Sequence, residues 1–292
     1  MSRETHPLGA RSDPENGSVA ALVRRHDRNR YQTALFAPAG RRAALLALYA
    51  FNYEIARVRE TVTEPMLGLI RLQWWREVLD AAYAGVPPRQ HPVVLPLTAA
   101  IRDFGLSRGH FGRLIDSRER DLADEPPASL AALEDYAEAS SAPLVELALE
   151  VLGARAPPLD EIARHVGIGY ALAGLLRAMP FHARAGRSYL PADIARREGL
   201  DPRDYLAGHT TQALRTAVGE IAEAAAQHLR AAREYRAAIP RSAIAALLPA
   251  LVAGRYLARL QWAEYDPFAP AVAAPDPRQI WRLAAAALRK RF

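Results

Sequence analysis

The 292-residue chain has no cysteine, which excludes disulfides and thiolate metal centres. It has one lysine, Lys290, so nearly all its positive charge is arginine, a side chain that grips phosphate and carboxylate in bidentate fashion. Nowhere do 18 uncharged apolar residues run together, so no membrane span is expected. Runs of alternating β-branched residues are missing too, which argues against a sheet. The first 17 residues hold no apolar signal core, and Glu4, Asp13 and Glu15 argue against a transit peptide. The expectation is a disordered tail over 1–17, one helical domain over 18–292 and a cytoplasmic location. A peripheral place on the inner membrane is the alternative.

Half of the composition is hydrophobic, enough for a sizeable core, and 22 prolines divide the chain into short pieces. The balance of 38 Lys+Arg against 32 Asp+Glu gives +6, a mild excess whose basic residues are interspersed with acids. Nucleic acid is therefore not an expected partner. The richness in arginine and alanine points to GC-rich coding and a bacterial source.

Apolar spacing of three and four predicts an all-α chain without repeats. Ser18 caps a first helix running to about Arg30. Leu45, Leu48, Phe51 and Ile55 mark a buried stripe in the second helix. Pro65 opens a third, which runs through Leu72 and Trp75 to Gly85. Further helices are expected over 93–104, 108–122, 128–152, 192–198, 242–264 and 277–290. Another begins at Pro157 and should end or bend at Pro180, and the longest should lie over 211–238.

The run RRAALLALYAF, beginning at Arg41, strongly resembles the first helix of the squalene/phytoene synthase family. The turn at Gly186, Arg187, Tyr189, Leu190 and Pro191 resembles that family's turn closely and fixes a second register. The resemblance implies the all-α isoprenoid synthase fold, with two acidic helices that hold Mg²⁺ and a diphosphate. In this register the first motif reads Asn52, Ala56, Arg57 and Glu60, with the family's carboxylates at Ala56 and Glu60. The second reads Ala171, Gly174, Arg177, Ala178 and His182, with the acids at Ala178 and His182 and the amides at Ala171 and Gly174. Magnesium prefers hard oxygen ligands, and Glu60 with His182 does not supply them. No metal or other cofactor is expected, Mg²⁺ entering only with an active prenyltransferase. Within the family, the stretches beginning at Ala47 and Leu176 look like a branch of respiratory complex I assembly factors. That likeness implies a non-catalytic role with a complex I subunit or another assembly factor as partner. Two alternatives stay open: an active prenyltransferase, and a carrier that keeps an isoprenoid or lipid in the old cavity.

Ala171, Gly174 and Ala178 share one helical face, and close helix packing is the expectation there. Asp116, Glu119, Asp121 and Asp124 are interrupted by arginines and read as a solvated face. His165 reads as a satisfied core histidine. Of the adjacent Trp74 and Trp75, one should be core and the other a partner contact. In the last helix, Asp276 is the expected cap, Ile280, Trp281, Ala284, Ala287 and Leu288 the apolar stripe, and Arg289, Lys290 and Arg291 the basic tip. Trp281 and that tip are candidates for contact with an anionic membrane.

Overall fold

The computed structural model describes residues 18–123, 125–290 and 292, and among these it contains helices, turns and no strand. The expected tail over 1–17, Asp124 and Arg291 lie outside the described residues.

Ser18 accepts a hydrogen bond from the Ala21 N–H at 3.2 Å and starts α1 (Val19–His26). The expected single helix breaks at Asp27. Its carboxylate caps the Arg30 N–H at 3.1 Å and starts α2 (Arg28–Ala34), an end signal hidden inside a charged run. Next comes α3 (Ala39–Ala56), in which Leu45, Leu48, Phe51 and Ile55 are fully buried. Each such side chain contributes about 1.5–3 kcal/mol by leaving water. A 3₁₀ turn, Val58–Thr61, then leads to Pro65 at the first position of α4 (Pro65–Tyr83), as the sequence predicts.

The chain continues through α5 (Val94–Phe104), α6 (Arg108–Glu119), a 3₁₀ turn at Arg120–Leu122, and α7 (Leu130–Val151). The longest helix is α8 (Pro157–Arg184) at 28 residues, not the 23-residue α11 (Gln212–Glu234) that follows two short helices, α9 (Ala192–Arg197) and α10 (Pro202–Leu206). Pro180 does not end α8, because the buried Leu176, Met179 and Ala183 hold the turn around it. The helix expected over 242–264 is divided by Pro249 into α12 (Ile244–Leu247) and α13 (Pro249–Trp262). The segment Arg241–Leu247 and α13 meet at a bend of 41°, and residues 244–250 at the bend are buried. No single described helix is long and apolar enough to cross a membrane. Two more helices close the chain, α14 (Pro270–Ala273) and α15 (Gln279–Arg289). Asp276 does not cap α15 at its start; it accepts from the Arg278 N–H at 3.0 Å and pairs with Arg282.

Helix α8 packs against α7, α11 and α13. Two glycines permit this. A Cβ on Gly167 would meet the Ala142 backbone of α7 at 2.5 Å, and one on Gly169 would meet Leu229 of α11 at 2.7 Å. These close approaches, not the face of Gly174, are where small residues bring helices together.

Candidate functional site

The end of α3, the Arg120–Leu122 turn, the middle of α7 and the second half of α8 enclose a cleft. One lobe, of about 430 Å³, is lined by Ala56, Glu60, Asp121, Ala178 and His182 among others. An adjoining lobe, of about 270 Å³, is lined by Asn52, Ser141, Ala171, Gly174 and Arg177 among others. Ala56, Arg118, Tyr136 and Leu175 border both. Both degenerate motifs therefore face one space, apart from Arg57. That guanidinium turns away, lying 5.3 Å from the Tyr53 ring centre and 3.6 Å from Glu54.

Gly174 corrects the packing expectation. Nothing lies within 4 Å of a Cβ built there, so this stretch of α8 borders open space.

The turn after α8 follows from Gly186, whose φ of +70° suits glycine. The Gly186 N–H bonds the Ala183 carbonyl at 3.0 Å and the Arg187 N–H bonds the His182 carbonyl at 2.9 Å, a Schellman closure. It carries Tyr189 and Arg187 to Asp121. The Asp121 carboxylate accepts from the Tyr136 hydroxyl at 2.6 Å and the Tyr189 hydroxyl at 3.0 Å, and pairs with Arg118 at 3.3 Å. Arg187 donates to the Asp121 carbonyl at 2.6 Å. Asp121 is only 7% exposed, which overturns its reading as part of a solvated face. Asp116 and Glu119 do keep that role, pairing with Arg76 at 2.6 and 2.7 Å. The separation arises at the 3₁₀ turn, which rolls Asp121 inward. Its offset of five residues from Asp116 was the signal in the sequence.

Burial, then the Asp121 charge, pushes the Tyr189 hydroxyl up to about 12, and the same two causes push the Tyr136 hydroxyl well above its ordinary value. Burial, then Arg187, pushes His182 down to about 4 from 6.5, so the imidazole is neutral at pH 7. Between those values the unfolded chain binds more protons than the folded one, so stability falls as pH drops from 6.5 to 4. Replacing His182 with Gln is expected to remove about 2–3 kcal/mol of that loss, read from urea midpoints at pH 7 and pH 4.

The donor set does not suit magnesium. Ala56 and Ala178 offer no oxygen, Glu60 is an exposed carboxylate at the rim, and Asp121 is engaged by two tyrosines and an arginine. Among the described residues, no three His, Asp or Glu side chains are placed to hold a metal ion.

The other candidates lie elsewhere. His165 is half-buried with its Nδ1 2.8 Å from that of His228, whose Nε2 meets Glu134 at 3.2 Å. Trp75 is core. Trp74 is half-buried, edge-on to Trp75 and to His91, with the Arg89 guanidinium 5.5 Å from its ring centre. In α15 the buried residues are Leu283 and Ala286, so Trp281 and Leu288 point outward, 76% and 80% exposed. Arg289 and Lys290 are exposed beside them.

The profile of the squalene/phytoene synthase family matches residues 23–285. Among curated proteins, the chain is 33% identical to bovine NADH dehydrogenase (ubiquinone) complex I, assembly factor 6, over 93% of this chain and 81% of that one. Identity to the human protein of the same name is 32%, covering 86% and 75%. It is 26% identical to presqualene diphosphate synthase of Rhodopseudomonas palustris, covering 79% and 81%. Among solved structures, a dehydrosqualene synthase superposes with a TM-score of 0.80 at 17% identity, covering 93% and 94%. A squalene synthase from Alicyclobacillus acidocaldarius superposes with a TM-score of 0.75 at 22% identity, covering 85% and 94%. The helical architecture is thus the isoprenoid synthase fold. With its profile matched along nearly the whole chain, this protein belongs to the squalene/phytoene synthase family.

Proposed function

We propose that the chain is a non-catalytic member of its family that assists the biogenesis of NADH dehydrogenase. The observation that carries this is the pair of methyl groups, Ala56 and Ala178, facing one cleft where diphosphate departure needs metal-bound carboxylates. The names of the relatives at 32–33% identity support the same reading. Deleting the gene in its own cell is expected to lower assembled NADH dehydrogenase, and the intact chain to restore it. Purified protein given labelled farnesyl diphosphate and Mg²⁺ is expected to give no product above a no-enzyme blank. An EDTA-sensitive product sinks the reading in favour of the prenyltransferase.

The working place we assign is an anionic membrane surface, touched by α15. Trp281 and Leu288 stand outward with exposed Arg278, Arg289 and Lys290 nearby in sequence. Each basic residue near such a surface contributes about 1 kcal/mol. Substitution is the proper test, since Leu283, Ala286 and Phe292 are buried and truncation would cut the core. Trp281→Ala with Leu288→Ala is expected to weaken binding to anionic vesicles and leave the melting temperature unchanged. Binding should also weaken with salt. Full-length protein that stays free of vesicles at low salt removes α15 as the contact.

A further inference from the structure

A groove of about 480 Å³ lies between α11 and α13 and shares no lining residue with the cleft. Its apolar lining is mostly small, with Ala222, Ala226, Leu251 and Ala258. Two glycines shape it. A Cβ on Gly254 of α13 would stand 3.5 Å from Arg233 Nη2, so this guanidinium lies over a position that carries no side chain. A Cβ on Gly219 of α11 would stand 3.5 Å from the ring of Tyr265, another lining residue.

The charge in this groove is unbalanced. Three arginines line it, Arg230, Arg233 and Arg255, against one carboxylate, Glu223, which Arg230 already holds at 2.6 Å. Arg233 and Arg255 make no ion pair among the described residues. Arg233 is half-buried, and its Nε donates to a backbone oxygen of Phe292 at 2.8 Å. Burial, then Arg236 and Arg230, pull its pKa below the ordinary arginine value, because like charges crowd it. Arg255 is exposed, and Asp276, the carboxylate whose charge reaches it, is held by Arg282. The dipole of α11 favours a cation at Arg233, in its last turn, but Arg255 sits in the middle of α13, where no dipole end accounts for it.

The same groove adjoins the end of the chain assigned to the membrane. The bond from Arg233 to Phe292 ties it to the tip of α15, two residues beyond Lys290. At its other side, Trp262 follows the lining residue Gln261 and stands 80% exposed. Exposed indoles suit the headgroup level of a bilayer, and basic pockets beside it suit anionic headgroups. We propose that the groove between α11 and α13 takes the phosphate headgroup of an anionic membrane lipid, the phosphate on Arg233 and Arg255 and the glycerol against Ala226, Leu251 and Ala258. The planar fork of arginine matches phosphate oxygens two at a time. The inference rests on the placement of α15 at an anionic surface and names the lipid chemistry recognised there.

The test is calorimetric titration of the full chain with dihexanoyl phosphatidic acid, below its micelle concentration, and separately with dihexanoyl phosphatidylcholine and inorganic phosphate. The first is expected to bind about tenfold tighter than either of the others, since it alone offers both a bare phosphate and apolar carbon. Arg233→Gln and Arg255→Gln should each weaken it by roughly tenfold, the effect of one charge-assisted hydrogen bond. Arg255 is exposed and has no ion pair to lose, so Arg255→Gln should keep the wild-type melting curve. Ala258→Phe, at an exposed position of α13, should fill the groove and weaken the lipid while sparing the melting curve. Inorganic phosphate that binds as tightly as the lipid overturns the proposal, as does phosphatidylcholine that does so, or an affinity that ignores Arg255→Gln. The probes are dissolved monomers, so this result is independent of the vesicle assay of Trp281→Ala with Leu288→Ala. Failure of the headgroup site and failure of the α15 contact are therefore read apart.

Discussion

Replacing Asp121 with alanine is expected to destabilise the chain by about 3–5 kcal/mol, the usual cost of stranding one partner of a buried ion pair. Arg118, its side chain 12% exposed, loses the carboxylate with which it forms its ion pair among the described residues. The hydroxyls of Tyr136 and Tyr189 lose their shared acceptor in the same step. Asp121→Asn keeps the size and an acceptor oxygen, so its loss should be smaller. The measurement is a urea midpoint at pH 7, with the denaturant slope checked so that the shift reports stability alone. A loss below about 1 kcal/mol for the alanine variant would show that water solvates Arg118 and that the network is not closed.

Gly167→Ala is expected to cost about 1–3 kcal/mol even though alanine is the better helix former by up to about 1 kcal/mol. The added methyl meets the Cα and N of Ala142 at 2.5 and 2.6 Å. Backbone cannot turn aside as a side chain can, so α7 and α8 must separate. Gly174→Leu makes the opposite case on the same helix. With nothing within 4 Å of its Cβ, it is expected to leave the melting temperature unchanged or raise it. If the two variants melt alike, the contrast between a sealed face and an open one along α8 is wrong.

The fold was legible because α3 and α4 carry strong local signals. Leu45, Leu48, Phe51 and Ile55 recur at one helical angle, and Pro65 sits where only a first turn accepts it. The register of the cleft was legible from the turn at Gly186, whose glycine and following tyrosine serve geometry and packing together. Other features depend on contacts far along the chain. Asp121 sits among charges in sequence, and only the inward roll of a 3₁₀ turn brings it to tyrosines 15 and 68 residues away. Small residues at Gly167 and Gly174 look alike in sequence, yet one meets a backbone and the other open space. Pro180 reads as a helix end or bend, yet α8 runs on through it to Arg184 with Met179 and Ala183 buried.

The placement of the four tryptophans has an optical consequence. Trp75 is shielded and Trp74 lies half-covered against it, whereas Trp262 and Trp281 stand 80% and 76% exposed. Emission from the native chain is therefore a mixture of a short-wavelength pair in α4 and a long-wavelength pair near the C-terminal end. Removing Trp262 leaves Trp281 as the one strongly exposed indole, and its emission colour becomes an intrinsic gauge of whatever α15 touches, with no dye attached.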